Sequence, residues 1–146
     1  MGVTVSHLGI CVSDLERSVR FYCDGLGFEL VQSHTVGDEF GRLMGLDDVV
    51  LQSRFVRRDA VSVELLHFDS PGHSGEALPR PMNRLGITHL SLRVDDLDAV
   101  AATIESFGGT VLEDTRTTFG APGASLDFVY CTDPDGVRIE LMRLPS

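Results

Sequence analysis

Val61-Ser62-Val63-Glu64-Leu65-Leu66-His67-Phe68 and Val137-Arg138-Ile139-Glu140-Leu141-Met142-Arg143-Leu144 follow one pattern. In each, a carboxylate stands inside a run of β-branched and aliphatic residues. Burying a carboxylate is expensive unless it is paired or binds a metal. A chain that does this twice, in matching contexts, has a use for both.

The repeat extends upstream. Ser6-His7-Leu8-Gly9-Ile10-Cys11-Val12-Ser13-Asp14-Leu15 aligns with Thr88-His89-Leu90-Ser91-Leu92-Arg93-Val94-Asp95-Asp96-Leu97. Each half therefore opens with a histidine in a strand and closes with a glutamate in a strand. A solenoid would need at least three repeats, so two copies predict a paired architecture. The expected organisation is a first module over 1–69, a linker over 70–86 rich in proline and glycine, and a second module over 87–146, together one domain.

Periodicity supplies the elements. Val3–Val12 alternates as a strand. Ser13 and Glu16 form a capping box for a helix with Leu15, Val19 and Tyr22 as its apolar stripe. Strands are predicted over Phe28–Val31, Val49–Val56 and Val61–Phe68, with 32–48 as a long loop. The second half repeats the order. A strand over Ile87–Val94 precedes a helix over Asp96–Phe107 and a short strand over Thr110–Leu112. A hairpin then joins Leu126–Thr132 and Val137–Leu144 across the turn Asp133-Pro134-Asp135-Gly136. Thr117–Ala124 reads as a lip. The class is α+β: two tandem βαβββ modules forming a curved, cup-shaped mixed sheet, with helices on the outer face. Leu90, Leu92 and Val94 face the helix, whereas His89, Ser91 and Arg93 face away. Ile139 and Leu141 alternate with Arg138, Glu140 and Met142 in the same manner.

Composition narrows the partners. The 146 residues carry a net charge of −10, which argues against nucleic acid. No apolar run approaches the roughly 20 residues that span a bilayer, and no leader is evident, so the expectation is a cytoplasmic protein without a membrane partner. All twelve basic residues are arginine, which excludes lysine Schiff-base chemistry. Cys11, Cys23 and Cys131 form no Cys-x-x-Cys pair and are expected to be buried, reduced thiols.

Two imidazoles, His7 and His89, and two carboxylates, Glu64 and Glu140, on one concave face suit a divalent metal such as Ni, Co, Zn or Mn. Such an ion would act as a Lewis acid on a substrate hydroxyl or carbonyl oxygen. A glutamate leaving the ion would take a proton from the adjacent carbon. Glu140 is the preferred base because its turn anchors it; Glu64 is the other candidate. Arg93 and Arg138 share the face and are candidates for binding an anionic group of a small-molecule substrate. His34, His67 and His73 lie in loops or out of phase. His67 is expected to point opposite to Glu64.

These residues resemble the vicinal-oxygen-chelate superfamily, which includes glyoxalase I, methylmalonyl-CoA epimerase, extradiol dioxygenases and bleomycin-resistance proteins. The resemblance rests on His7-Leu8-Gly9-Ile10, Asp14-Leu15-Glu16-Arg17-Ser18 and Phe21-Tyr22-Cys23-Asp24-Gly25-Leu26-Gly27-Phe28. It rests also on His89 with Val94-Asp95-Asp96-Leu97, and on Asp133-Pro134-Asp135-Gly136-Val137-Arg138-Ile139-Glu140-Leu141. It implies paired modules around a metal, usually in a homodimer. The set His7, Glu64, His89 and Glu140 is most similar to glyoxalase I and the epimerase. That implies a lyase or isomerase that removes a proton through an enediolate, with a thiol cosubstrate in the glyoxalase case. The resemblance also admits an Fe(II) extradiol-type dioxygenase, or a drug- or metabolite-binding resistance protein without catalysis. An epimerase needs a further acid/base pair, for which Asp38 and Glu39 are the nearest candidates.

Overall fold

In the computed structural model, which describes residues 2–145, the chain forms two compact units. One ends at Gly75 and the other begins at Glu76, a division that falls within the 70–86 stretch. In the first unit, strand β1 (Leu8–Cys11) precedes helix α1 (Leu15–Arg20), which continues through a π turn at Phe21–Gly25. Strand β2 (Glu29–Val36), the short helix α2 (Gly41–Met44), β3 (Val50–Arg58) and β4 (Val61–Ser70) follow. The sheet order is β1-β4-β3-β2, with β1 parallel to β4 and the other neighbours antiparallel.

The second unit repeats the plan with β5 (Leu90–Arg93), α3 (Leu97–Ser106), β6 (Thr110–Phe119), β7 (Leu126–Thr132) and β8 (Arg138–Arg143). Its order is β5-β8-β7-β6, again with one parallel pair, β5 with β8. Each unit is thus a βαβββ module with a four-stranded mixed sheet, as the repeat predicts.

Alternation sorts the faces. Val63 and Leu65 are buried, as are Ile139 and Leu141, while Glu64 and Glu140 between them are only half-buried. In the second unit α3 packs on β6, β7 and β8. Its Leu97, Ala101 and Ile104 share the core with Val129, Cys131, Ile139 and Leu141. Each large aliphatic side chain buried there contributes about 1.5–3 kcal/mol.

The helix starts differ from the predicted box. Asp14, not Ser13, caps α1: its carboxylate accepts from the Arg17 backbone N–H at 2.9 Å. Ser13 Oγ accepts instead from the Arg17 guanidinium at 2.8 Å. Asp96 caps α3 in the same way, accepting from the Ala99 N–H. The apolar stripe of α1 also shifts. The π turn directs the consecutive Phe21 and Tyr22 both inward, leaving Val19 half-buried.

Strand lengths differ most at the sheet edges. β2 runs on to Val36 by pairing with β3 beyond a register shift after Leu30. The rest of 32–48 holds a 3-10 turn at Asp38–Phe40 and then α2, rather than a plain loop. β6 reaches Phe119 by bridging a bulge between Leu112 and Thr117, absorbing the start of the predicted lip. β1 and β5 are shorter than predicted and begin just after His7 and His89. Among the described residues no cysteine forms a disulfide, but Cys11 is exposed on the edge strand β1 and Cys23 is half-buried; of the three, Cys131 is fully buried.

Candidate functional site

Register builds the first pair. Parallel pairing sets Gly9 opposite Glu64, so His7, two residues before Gly9, projects onto the face of Glu64. His7 Nε2 lies 3.2 Å from Glu64 Oε2. Its other ring nitrogen, Nδ1, is 2.9 Å from Ser6 Oγ. The second unit reproduces this. Ser91 is opposite Glu140, His89 Nε2 is 3.8 Å from Glu140 Oε1, and His89 Nδ1 is 2.9 Å from Thr88 Oγ1. A hydroxyl that accepts from Nδ1–H leaves the Nε2 lone pair free for an ion.

Hydroxyls also hold the carboxylates, but from different strands. Ser53 Oγ on β3 donates to Glu64 Oε1 at 2.6 Å, whereas Ser91 Oγ on β5 donates to Glu140 Oε1 at 2.8 Å. Phe55 and Tyr130 occupy equivalent positions opposite the two glutamates. Each meets its histidine edge-on, with centroids at 5.0 Å for His7 and Phe55 and 5.6 Å for His89 and Tyr130. Tyr130 differs from Phe55 in carrying a hydroxyl. Burial, then the Glu140 carboxylate, push the phenol above its ordinary range.

The geometry suits an ion. Two ligands at about 2.1 Å from one metal, at 90 to 110°, stand about 3.0–3.4 Å apart. The 3.2 Å separation of His7 and Glu64 matches that spacing, and the 3.8 Å of His89 and Glu140 needs a small side-chain rotation. Each unit by itself offers two donors. Among the described residues no group of three or more His, Cys, Asp or Glu is positioned to hold an ion.

The other sequence candidates separate. Arg93 is exposed on the open face, and its guanidinium makes no hydrogen bond or ion pair among the described residues. Arg138 donates from Nη1 to the Arg80 carbonyl at 2.8 Å and lies over the Tyr130 ring at 5.5 Å. Its guanidinium therefore pins the segment before β5, while its Nε is buried without a hydrogen-bond partner. Asp38 and Glu39 fold their own loop: Asp38 accepts from the Val49 N–H and Glu39 from the Gly37 N–H. His67 lies on the helix side, as parity predicts, with Nδ1 3.2 Å from the Val12 carbonyl. His34, read from sequence as a loop residue, is on β2 with its ring 5.9 Å from Phe55.

A family model described as the Glyoxalase/Bleomycin resistance protein/Dioxygenase superfamily matches residues 4–141. The chain belongs to this superfamily. Among curated relatives, a 2-epi-5-epi-valiolone epimerase from Actinomyces sp. is 30% identical, covering 99% of this chain and 81% of the relative. A lactoylglutathione lyase from Haemophilus influenzae is 26% identical, covering 97% and 93%. A crystal structure of a glyoxalase family protein from Bacillus cereus superposes with a TM-score of 0.83 at 19% identity, over 100% of this chain and 97% of that one. The superfamily's repeated βαβββ module is the module seen here, and its lyase- and epimerase-named members make an enzyme the coarse expectation for this one.

Proposed function

We propose that this superfamily member is a divalent-metal-dependent isomerase or lyase of the glyoxalase I type. Its substrate would be a small molecule with a C–H next to a carbonyl or hydroxyl oxygen. The observation that carries the reading is the doubled His–Glu pair, with the same hydroxyl on Nδ1 in both copies. His7, Glu64, His89 and Glu140 would hold the ion, from Ni, Co, Zn or Mn. When bound, the ion supplies Lewis acidity to the substrate oxygen.

The chain's own residues would do the rest. Glu140 takes the proton from the carbon beside that oxygen and returns it to the neighbouring carbon. Ser91 holds Glu140, so it keeps its aim when substrate arrives; the hydroxyl of Ser53 holds Glu64. The unpartnered guanidinium of Arg93, two residues beyond Ser91 on the open face, would take an anionic group of the substrate. A glutathione-like thiol adduct, as the name of the Haemophilus influenzae relative indicates for that protein, fits such a group. The proposal extends to a homodimer.

The test is deuterium exchange from solvent into the hemithioacetal of methylglyoxal and glutathione, followed by proton NMR on metal-loaded protein. Glu140→Gln should retain its metal yet lose about 100-fold or more in exchange rate. Exchange near the wild-type rate in that variant would remove Glu140 as the base.

A further inference from the structure

The open faces of the two sheets differ around the aromatic ring beside each pair. In the first unit Gln32 is directly opposite Phe55, and His34 is opposite Ser53. Both are exposed, and the single hydrogen bond between them, His34 Nε2 to Gln32 Oε1, is long at 3.4 Å. Arg57, two residues beyond Phe55 on the same strand face, is exposed, and its guanidinium makes no hydrogen bond or ion pair among the described residues. Three weakly engaged hydrogen-bonding groups thus frame one half-buried ring, whose other neighbour is His7 at 5.0 Å.

The second unit does not repeat this. The residues opposite Tyr130 and Phe128 are Leu112 and Thr117, separated by a bulge. The one basic residue of the bulge is already engaged: Arg116 pairs with Glu113 and with Asp98. The donor beside the Tyr130 ring is Arg138, from the central strand and already bonded to the Arg80 carbonyl, so weakly engaged edge-strand donors frame the ring of the first unit but not that of the second.

We propose that this face of the first unit is a subsite for a polyhydroxylated ketone. The inference rests on the proton-transfer reading above, in that the ketone end would lie at the His7–Glu64 pair. The carbon skeleton would place its C–H face on Phe55. Its hydroxyls would pair with Gln32, His34 and Arg57, as ligand sites combine an apolar platform with a few placed polar groups. Donors built to meet hydroxyls discriminate against an analogue that lacks them, because they are then left without the partner.

Two probes test this: 2-keto-myo-inositol and 2-hydroxycyclohexanone, both ketones with an exchangeable α-proton. Affinity is read by saturation-transfer NMR on zinc-loaded protein, and α-deuterium exchange in the same samples. The polyol should bind tighter by about tenfold or more. Each of Gln32→Ala and His34→Ala should weaken it by about 3- to 10-fold, narrowing the gap between the probes. Both positions are exposed, so the variants should fold. Equal or undetectable affinity for the two probes, or polyol affinity unmoved in both variants, would overturn the subsite. Polyol binding that depends on His34 but gives no exchange would keep the subsite and remove the isomerase reading. Exchange without hydroxyl preference would do the reverse.

Discussion

Ser6 and Thr88 stand one residue ahead of their histidines, and each sets a hydroxyl 2.9 Å from Nδ1. The histidines and glutamates were legible because the repeat places them at matching positions. Their supports were not, since Ser53, Phe55, Tyr130 and His34 reach the site by cross-strand register, which no linear spacing encodes. If these hydroxyls fix the ring tautomer, Thr88→Val should lower metal affinity about 10- to 100-fold, read by competition with a chelating dye. An unchanged affinity would mean that the hydroxyl does not set the ring. A second residue speaks to stability. Burial, with the nearby Glu113 charge, pushes the Cys131 thiol from 9.0 up to about 11. The unfolded thiol ionises first, so the contribution of Cys131 is intact below about pH 9 and is lost as pH rises to about 11. Wild type should lose roughly 2–3 kcal/mol more than Cys131→Ala across that window in urea melts. Parallel pH profiles of the two proteins would sink this assignment.

At the level of elements, sequence reading succeeded where one face is buried and failed where little is. β4 and β8 are central in their sheets, with neighbours on both sides, and their burial alternates around the glutamates, Val63 and Leu65 in one and Ile139 and Leu141 in the other. β2 is an edge strand with no buried residue, and its polar second half carries no apolar signal to read. The π turn after α1 was equally hidden, because Phe21 and Tyr22 are adjacent and only a widened turn lets both face the core. The turn before β8 was legible, and it carries a steric constraint that the sequence does not announce. Gly136 has φ +85°, and a Cβ there would stand 2.7 Å from the backbone of Leu78. Gly108 has a similar φ of +88° but ample room, with Pro134 Cγ at 3.8 Å. Gly108→Ala should therefore cost only the backbone strain, about 1 kcal/mol. Gly136→Ala should cost more, about 2–4 kcal/mol, because the segment held by Arg138 must also shift. Equal losses of melting temperature in the two variants would show that the contact with Leu78 carries no weight.

Across the whole molecule, duplication has preserved the donor pair while changing what surrounds it. The second unit keeps a tyrosine and Ser91 on its glutamate; the first keeps Ser53, a phenylalanine and a polar frame. Under the proposed reading, that division would give one pair to proton transfer and the other to recognition. It depends on a single ion drawing on both pairs. Two protein donors leave a divalent ion mostly water-coordinated and weakly held, whereas four leave the two positions that a substrate needs. Sharing and independence predict different stoichiometries. Shared donors give one ion per four, and His7→Ala/Glu64→Ala should then abolish tight binding although His89 and Glu140 are untouched. Independent pairs would leave that double variant with half the wild-type metal. Metal content after gel filtration, measured for this variant beside His89→Ala/Glu140→Ala, decides the matter. We expect both to fall to background, with melting temperatures that no longer rise on adding Zn or Ni. Half-loading in either variant would mean that each pair binds alone, and the single-site mechanism would fail with it.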